Sequence, residues 1–194
     1  AAYRSLHINT SRDLMSYADY PMPKSYPDYP GHALIKQYFD EYVDHFGLRD
    51  RITFETAVTR AERDPDGVWS ITLDNGEARS YDVLLVANGH HWDPRWPDPP
   101  FPGAFDGIEM HSHGYIDPAE PHDMHGKRIV VVGMGNSAMD IAAELSRPGI
   151  AEKLFLSARR GVWVIPKYMF GRPTDELAGM LPILHWRIQN VLLT

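Results

Sequence analysis

The sequence contains no cysteine, which removes disulfides, thiolate zinc sites, iron-sulfur clusters and a cysteine nucleophile together. That agrees with a reducing compartment, and the expected location is cytoplasmic. Long apolar runs are missing too. Nothing approaches the roughly 20 consecutive apolar residues of a membrane-spanning helix, and the stretch from Ala1 to Thr10 has no signal-peptide core. Positive charge is in deficit, with 19 Lys and Arg against 26 Asp and Glu and a net charge of −7 over 194 residues. There is no basic footprint for nucleic acid, and no such partner is expected. Ser11, Ser112 and Ser137 stand in no G-x-S-x-G setting, and the ten histidines include no H-E-x-x-H, so neither a serine hydrolase nor a zinc hydrolase has its motif. His111 with His113, and His122 with His125, are read as local hydrogen-bonding groups, and no metal is expected. Asn9-Thr10-Ser11 fits a glycosylation sequon but has no secretory context. What is present, 43% hydrophobic and 23% charged residues, is ordinary globular composition. Any redox chemistry must therefore come from a bound cofactor.

Along the chain, a Tyr- and Pro-rich segment up to Pro30 reads as an ordered irregular loop. From Gly31, Leu34, Ile35, Tyr38, Phe39, Tyr42, Val43 and Phe46 recur at three- and four-residue steps, the apolar stripe of a helix that Gly47 stops. Ile52 with Phe54, Ala57 to Ala61, and Val68 to Leu73 read as an antiparallel meander turning at Asp64-Pro65-Asp66-Gly67 and Asp74-Asn75-Gly76. Val83 to Ala87 has the continuous apolar character of a strand buried on both faces, ending at Asn88-Gly89, where a ligand could sit. Five prolines between Trp92 and Pro102 read as a linker. Arg128 to Val132, Met134 to Leu145 and Lys153 to Ser157 then read as strand, helix and strand. Leu177 to Leu193 reads as an apolar helical tail.

The strongest local signal is Ile129-Val130-Val131-Val132-Gly133-Met134-Gly135-Asn136-Ser137-Ala138. Gly133 allows the tight turn, Gly135 lets the backbone approach a pyrophosphate, and Ala138 is small enough for the helix to pack close to the strand. The context of a strand before it and an amphipathic helix after it is the one that dinucleotide binding requires. An NAD enzyme would place an acid roughly 20 residues further on, at the end of the next strand. Here that strand ends in Ser157-Ala158-Arg159-Arg160 instead. A hydroxyl and a guanidinium fork suit a 2′-phosphate, which favours NADP, with either arginine able to take it.

Phe105-x-Gly107-x-x-x-His111-x-x-x-Tyr115, standing just before the Gly133 turn, resembles the fingerprint of the flavin-containing monooxygenases. Asn9-Thr10-Ser11 with Tyr17, Asp19, Tyr20 and Pro21, the Val86-Ala87-Asn88-Gly89 strand end, the segment from Gly133 to Asp140, and Ser157 with Arg159 are similar to that family in the same order. The resemblance implies an α/β flavoprotein of class B with two dinucleotide-binding domains. In such enzymes NADPH reduces FAD, and a C4a-hydroperoxyflavin oxygenates a soft nitrogen or sulfur atom of a small molecule. It places Asn9 at the flavin and nicotinamide junction as the catalytic amide, and makes Phe105, Gly107, His111 and Tyr115 connectors between domains. Residues 1–118 would then be part of the FAD-binding domain with its linker, and 119–194 the first part of the NADPH-binding domain. The family's opening G-x-G-x-x-G turn for FAD does not precede Asn9, so the chain resembles the middle of a longer enzyme, with a complementary segment or a second copy as possible partner. Baeyer-Villiger monooxygenases share the architecture but place Trp where Tyr115 stands, and a non-catalytic NADP-binding fragment is the further alternative.

Overall fold

The computed structural model describes residues 2–89 and 91–180. They divide into two compact units, residues 1–39 with 94–194 and residues 40–93, the first division falling inside a helix.

In the first unit the tyrosine-rich loop is organised by one side chain. Tyr38, on helix α2 (His32–His45), is fully buried. Its hydroxyl donates to the Tyr20 carbonyl at 2.6 Å and accepts from the Tyr17 N–H at 2.9 Å, while the Tyr17 ring stacks on it. Prolines leave this loop few backbone donors, and the phenol supplies the partners a ladder would otherwise give. A single helical turn, α1 (Arg12–Met15), opens it.

The second unit, taken by itself, is an antiparallel meander of β1 (Val58–Arg63), β2 (Trp69–Leu73) and β3 (Ala78–Tyr81). Ile71 and Leu73 alternate inward on the central strand and are buried. Two sequence expectations are corrected here. Ile52 and Phe54 form no strand: they follow a 3₁₀ turn at Arg49–Arg51, and Glu55 at φ +51° breaks any extended run. The third strand is Ala78–Tyr81, whose polar alternation hid it and which the turn at Gly76 folds back onto β2. Val83 to Ala87 is likewise no strand among the described residues. It is unpaired, with Leu85 84% and Val86 77% exposed, because no strand among the described residues offers it a ladder.

Returning to the first unit, β4 (Arg128–Val132), α3 (Asn136–Leu145) and β5 (Lys153–Ser157) form the expected parallel βαβ, in register from Arg128 opposite Lys153 to Val132 opposite Ser157. Strand β4 is buried on one face only. Ile129, Val131 and Leu154 pack against the core of Tyr3, Tyr115, Ile141 and Leu145, whereas Val130 and Val132 point outward and are exposed. A single helix covers only one face of a two-stranded sheet. A short hairpin of β6 (Tyr168–Met169) and β7 (Arg172–Pro173) leads into α4 (Thr174–Met180). The remainder of the expected tail, from 181 onward, lies outside the described residues.

Glu144 is the buried charge in this core. Its Oε2 accepts from the Tyr115 hydroxyl at 2.9 Å and from Ser5 Oγ at 3.1 Å. Tyr115→Phe should therefore lower unfolding stability by roughly 1.5–3 kcal/mol, the worth of a hydrogen bond to a charged group. Urea denaturation measures it, and a midpoint equal to the parent's would mean that water replaces the phenol.

Candidate dinucleotide-binding site

The turn between β4 and α3 is built from three backbone features. Gly133 has φ +119°, a conformation that side chains with a Cβ rarely adopt, and its N–H donates to the Ser157 carbonyl at 2.8 Å. That bond ties the turn to the end of β5. Ala138 stands in ordinary contact, 3.9 Å from where a Gly133 Cβ would lie, so a small residue there lets helix and strand approach. Gly135 is the N-cap of α3, has no side-chain cap, and faces open space where its Cβ would point.

The first intrahelical bond on this end runs from Met139 N–H to Gly135 C=O. The N–H groups of Asn136, Ser137 and Ala138 therefore face out of the helix start, where the macrodipole is positive. No acidic residue stands in that turn to repel an anion. A backbone cradle with open space above it and outward N–H groups fits a pyrophosphate. Gly135→Ala should lower unfolding stability by only about 1 kcal/mol, the usual loss when alanine replaces a favourable N-cap residue, since nothing crowds the site. It should nevertheless weaken NADPH binding by roughly tenfold, because a methyl fills the approach. Titration of nucleotide alongside thermal melting checks this, and equal affinity would detach the turn from the ligand.

Ser157 closes β5, and Arg159 and Arg160 follow it, exposed and in no ion pair among the described residues. The structure thus brings Gly133, Gly135, Asn136, Ser137, Ala138 and Ser157 together and leaves both guanidinium groups at the strand end available to an anion. Asn88 and Gly89 belong to the other unit, where Gly89 has φ +71° at the end of the unpaired segment. Asn9 is exposed in the first unit, and its amide has no hydrogen-bond partner among the described residues. Two residues on, the Ser11 hydroxyl is fully buried without a partner among them. A free amide beside an orphaned hydroxyl fits a polar group bound at this loop.

The four fingerprint positions have separate jobs. Phe105 is 67% exposed, and a Cβ on Gly107 would overlap its ring, so the glycine makes room for that aromatic. His111 caps a 3₁₀ turn (Ser112–Gly114) by accepting from the His113 N–H at 3.0 Å, and its ring meets Trp96 edge-on. Tyr115 is 2% exposed and anchors on Glu144 of α3. The Tyr3 hydroxyl donates to Asp140 of the same helix at 2.7 Å. Burial, then the adjoining carboxylates, pushes both phenols far above the ordinary tyrosine range. Both therefore stay protonated donors at any working pH. The described residues include no cluster of His, Asp and Glu able to hold a metal, and no helix long and apolar enough to cross a membrane. His125 instead pairs with Asp123 at 2.6 Å.

Sequence reasoning passed over Glu144 and took Asp140 only as the end of the family-like segment from Gly133. A signal existed for the first: Glu144 lies on the apolar face of α3 beside Ile141 and Leu145, where a carboxylate needs donors. Tyr115 was one such donor already in view.

A family model described as flavin-binding monooxygenase-like matches residues 1–192, and the chain belongs to that family. It is 39% identical over 200 residues to flavin-containing monooxygenase 5 of Rattus norvegicus, covering 98% of this chain and 36% of that protein. Among solved structures, a variant of the flavin monooxygenase from Stenotrophomonas maltophilia superposes with a TM-score of 0.77 at 26% identity, over 98% of this chain and 56% of the other. The S-allyl-L-cysteine S-oxygenase from Allium sativum superposes with a TM-score of 0.73 at 29% identity, over 88% of this chain and 40% of the other. The fold is accordingly the α/β fold of the two-domain flavin monooxygenases, of which the chain carries a part. It spans about 36% of the length of the curated relative above.

Proposed function

We propose that the whole protein is an FAD- and NADPH-dependent monooxygenase that oxygenates a soft nitrogen or sulfur atom of a small molecule. NADPH, a proton, dioxygen and substrate would give NADP+, water and the N- or S-oxide. The observation that carries the reading is the βαβ turn at Gly133 with two unpaired arginines at the end of β5, in a chain of this family. Bound FAD supplies hydride acceptance and dioxygen activation.

The chain's own residues then have the following tasks. The Gly133 turn and the N–H groups of Asn136, Ser137 and Ala138 bind the NADP pyrophosphate. Ser157 with Arg159 or Arg160 binds the 2′-phosphate. The amide of Asn9 aims a donor at the reacting oxygen, and Asn88 with Gly89 is a cofactor-binding segment end, where a positive φ at Gly89 lets backbone come close to a ligand. Residues 1–118 serve the flavin side and 119–194 the nucleotide side, with the segment from Phe105 to Tyr115 joining them. Excluding water from the reacting centre falls to the assembled domains. We place the enzyme in the cytoplasm, with a further copy of itself in a homo-oligomer or a complementary chain segment as partner. Support for heteroatom chemistry comes from Tyr115, which stands where the ketone-inserting relatives carry Trp, and from the S-oxygenase among the structural neighbours.

Gly133-Met134-Gly135 is the only G-x-G in the sequence, and it is assigned to NADP. The 194 residues expressed alone should therefore purify colourless and oxidise no NADPH, whereas the full-length protein should be yellow and consume NADPH with oxygen. Visible absorbance tests this. Stoichiometric FAD on the short chain would give the Gly133 turn to the flavin instead.

A further inference from the structure

The Asn9 amide has no side-chain partner among the described residues, so its direction is set by the backbone on either side of it. On the amino side the Ile8 N–H donates to the Pro30 carbonyl at 3.0 Å, a local bond within the loop and its return. On the carboxyl side one restraint comes from far along the chain. The Ser11 N–H donates to Asp175 Oδ2 at 2.6 Å, across a separation of 164 residues. This is a short, charge-assisted bond of the strong kind. The Ser11 hydroxyl contributes no hydrogen bond of its own; its carbonyl accepts from the Met15 N–H at 2.9 Å and the next N–H, of Arg12, donates to the Asp28 carbonyl at 2.6 Å, so the Asp175 contact adds a long-range restraint to local ones.

Asp175 is itself held. It stands in the first turn of α4, directly after the β6–β7 hairpin, and its Oδ1 accepts from the Glu176 N–H at 3.1 Å. The Tyr29 hydroxyl lies 3.5 Å from the same oxygen and donates to the Lys167 carbonyl at 2.9 Å. The Lys167 ammonium sits 4.7 Å from the centre of the Tyr29 ring and touches His7. Burial first, and then the nearby Asp175 charge, holds the Tyr29 phenol above its ordinary range. The carboxylate is thus fixed from behind and presents one oxygen to the loop that carries Asn9.

We propose that Asp175 is a positioning residue for Asn9: by accepting the Ser11 N–H it fixes the loop two residues from the amide and so sets the amide's aim at the reacting oxygen. This rests on the assignment of Asn9 made above. Misplacement by about 1 Å can cost on the order of a hundredfold in a catalytic step, so a lost tether is read in coupling more than in binding.

The test uses the full-length flavin-loaded enzyme and the variants Asp175→Ala, Asp175→Asn and Asn9→Asp. For Asp175→Ala, peroxide released per substrate oxygenated should rise about tenfold while NADPH-driven flavin reduction stays within about twofold. Asp175→Asn keeps a weaker neutral acceptor and should uncouple by roughly threefold. This second variant decides the matter should the alanine protein not fold. A readout independent of turnover is hydrogen exchange in nucleotide-free protein, where the peptide from Asn9 to Met15 should exchange about tenfold faster in Asp175→Ala as the Ser11 N–H loses its acceptor. Uncoupling in Asn9→Asp with an unchanged ratio in both Asp175 variants would overturn the positioning role and leave Asn9 in place. An unchanged ratio in all three would overturn both. Lower melting and slower flavin reduction in Asp175→Ala without a change in the ratio would make Asp175 a scaffold residue only, and overturn the proposal as well.

Discussion

Asn9→Asp in the full-length enzyme is expected to leave flavin reduction by NADPH nearly intact and to turn most of the reducing power into hydrogen peroxide. The amide can donate a hydrogen bond, while an ionised carboxylate can only accept and repels negative charge developing on the reacting oxygen. Removing one donor that acts in the transition state costs about 3–4 kcal/mol, or on the order of 10²–10³ in the oxygenation step. Because Asn9 is exposed and its side chain has no partner among the described residues, the substitution breaks no contact of the fold. The measured quantity is peroxide per product at fixed NADPH consumption. A ratio equal to the parent's would make Asn9 a loop residue without a part in the chemistry.

The second large effect concerns nucleotide choice. Arg159→Ala should weaken NADPH far more than NADH, by roughly 10- to 150-fold, which corresponds to about 1.5–3 kcal/mol for a charge-assisted contact. Exposure of the guanidinium in the free protein points to the lower part of that range. Rapid-mixing flavin reduction with each nucleotide separates the two. A selective loss in Arg160→Ala alone would move the contact by one residue, and equal losses for NADPH and NADH would remove the 2′-phosphate site from this strand end.

The legible parts of the structure were those where sequence period and turn chemistry agree. Gly31 to Gly47 carries helical spacing and a helix stop, and α2 fills that interval. The Gly133 turn is legible because each of its small residues answers a local steric demand, and the pairing of Gly133 N–H with Ser157 follows from the parallel register. Ala78 to Tyr81 was not legible as a strand, because its place depends on β2 beside it and not on its own alternation. Val83 to Ala87 misleads in the opposite way: its apolar run asks for neighbours on both sides, and the described residues leave Val83, Leu85 and Val86 exposed.

At the site, the residue types were readable and their supports were not. Tyr115 stood out through its spacing from Phe105, but its partner Glu144 lies 29 positions away on α3. The tether from Asp175 to Ser11 crosses nearly the whole chain, and nothing in the local sequence of either residue announces it. Hydrogen bonds of that length depend on tertiary placement, which periodicity cannot encode.

The most direct test of the account is the fate of dioxygen in the full-length protein supplied with NADPH and a simple aryl methyl thioether. Using dioxygen labelled with the heavy isotope, the account predicts one labelled sulfoxide formed for each NADPH and each dioxygen consumed, less the small fraction lost as peroxide. NADPH consumption that yields only peroxide, or sulfoxide without label, would contradict it.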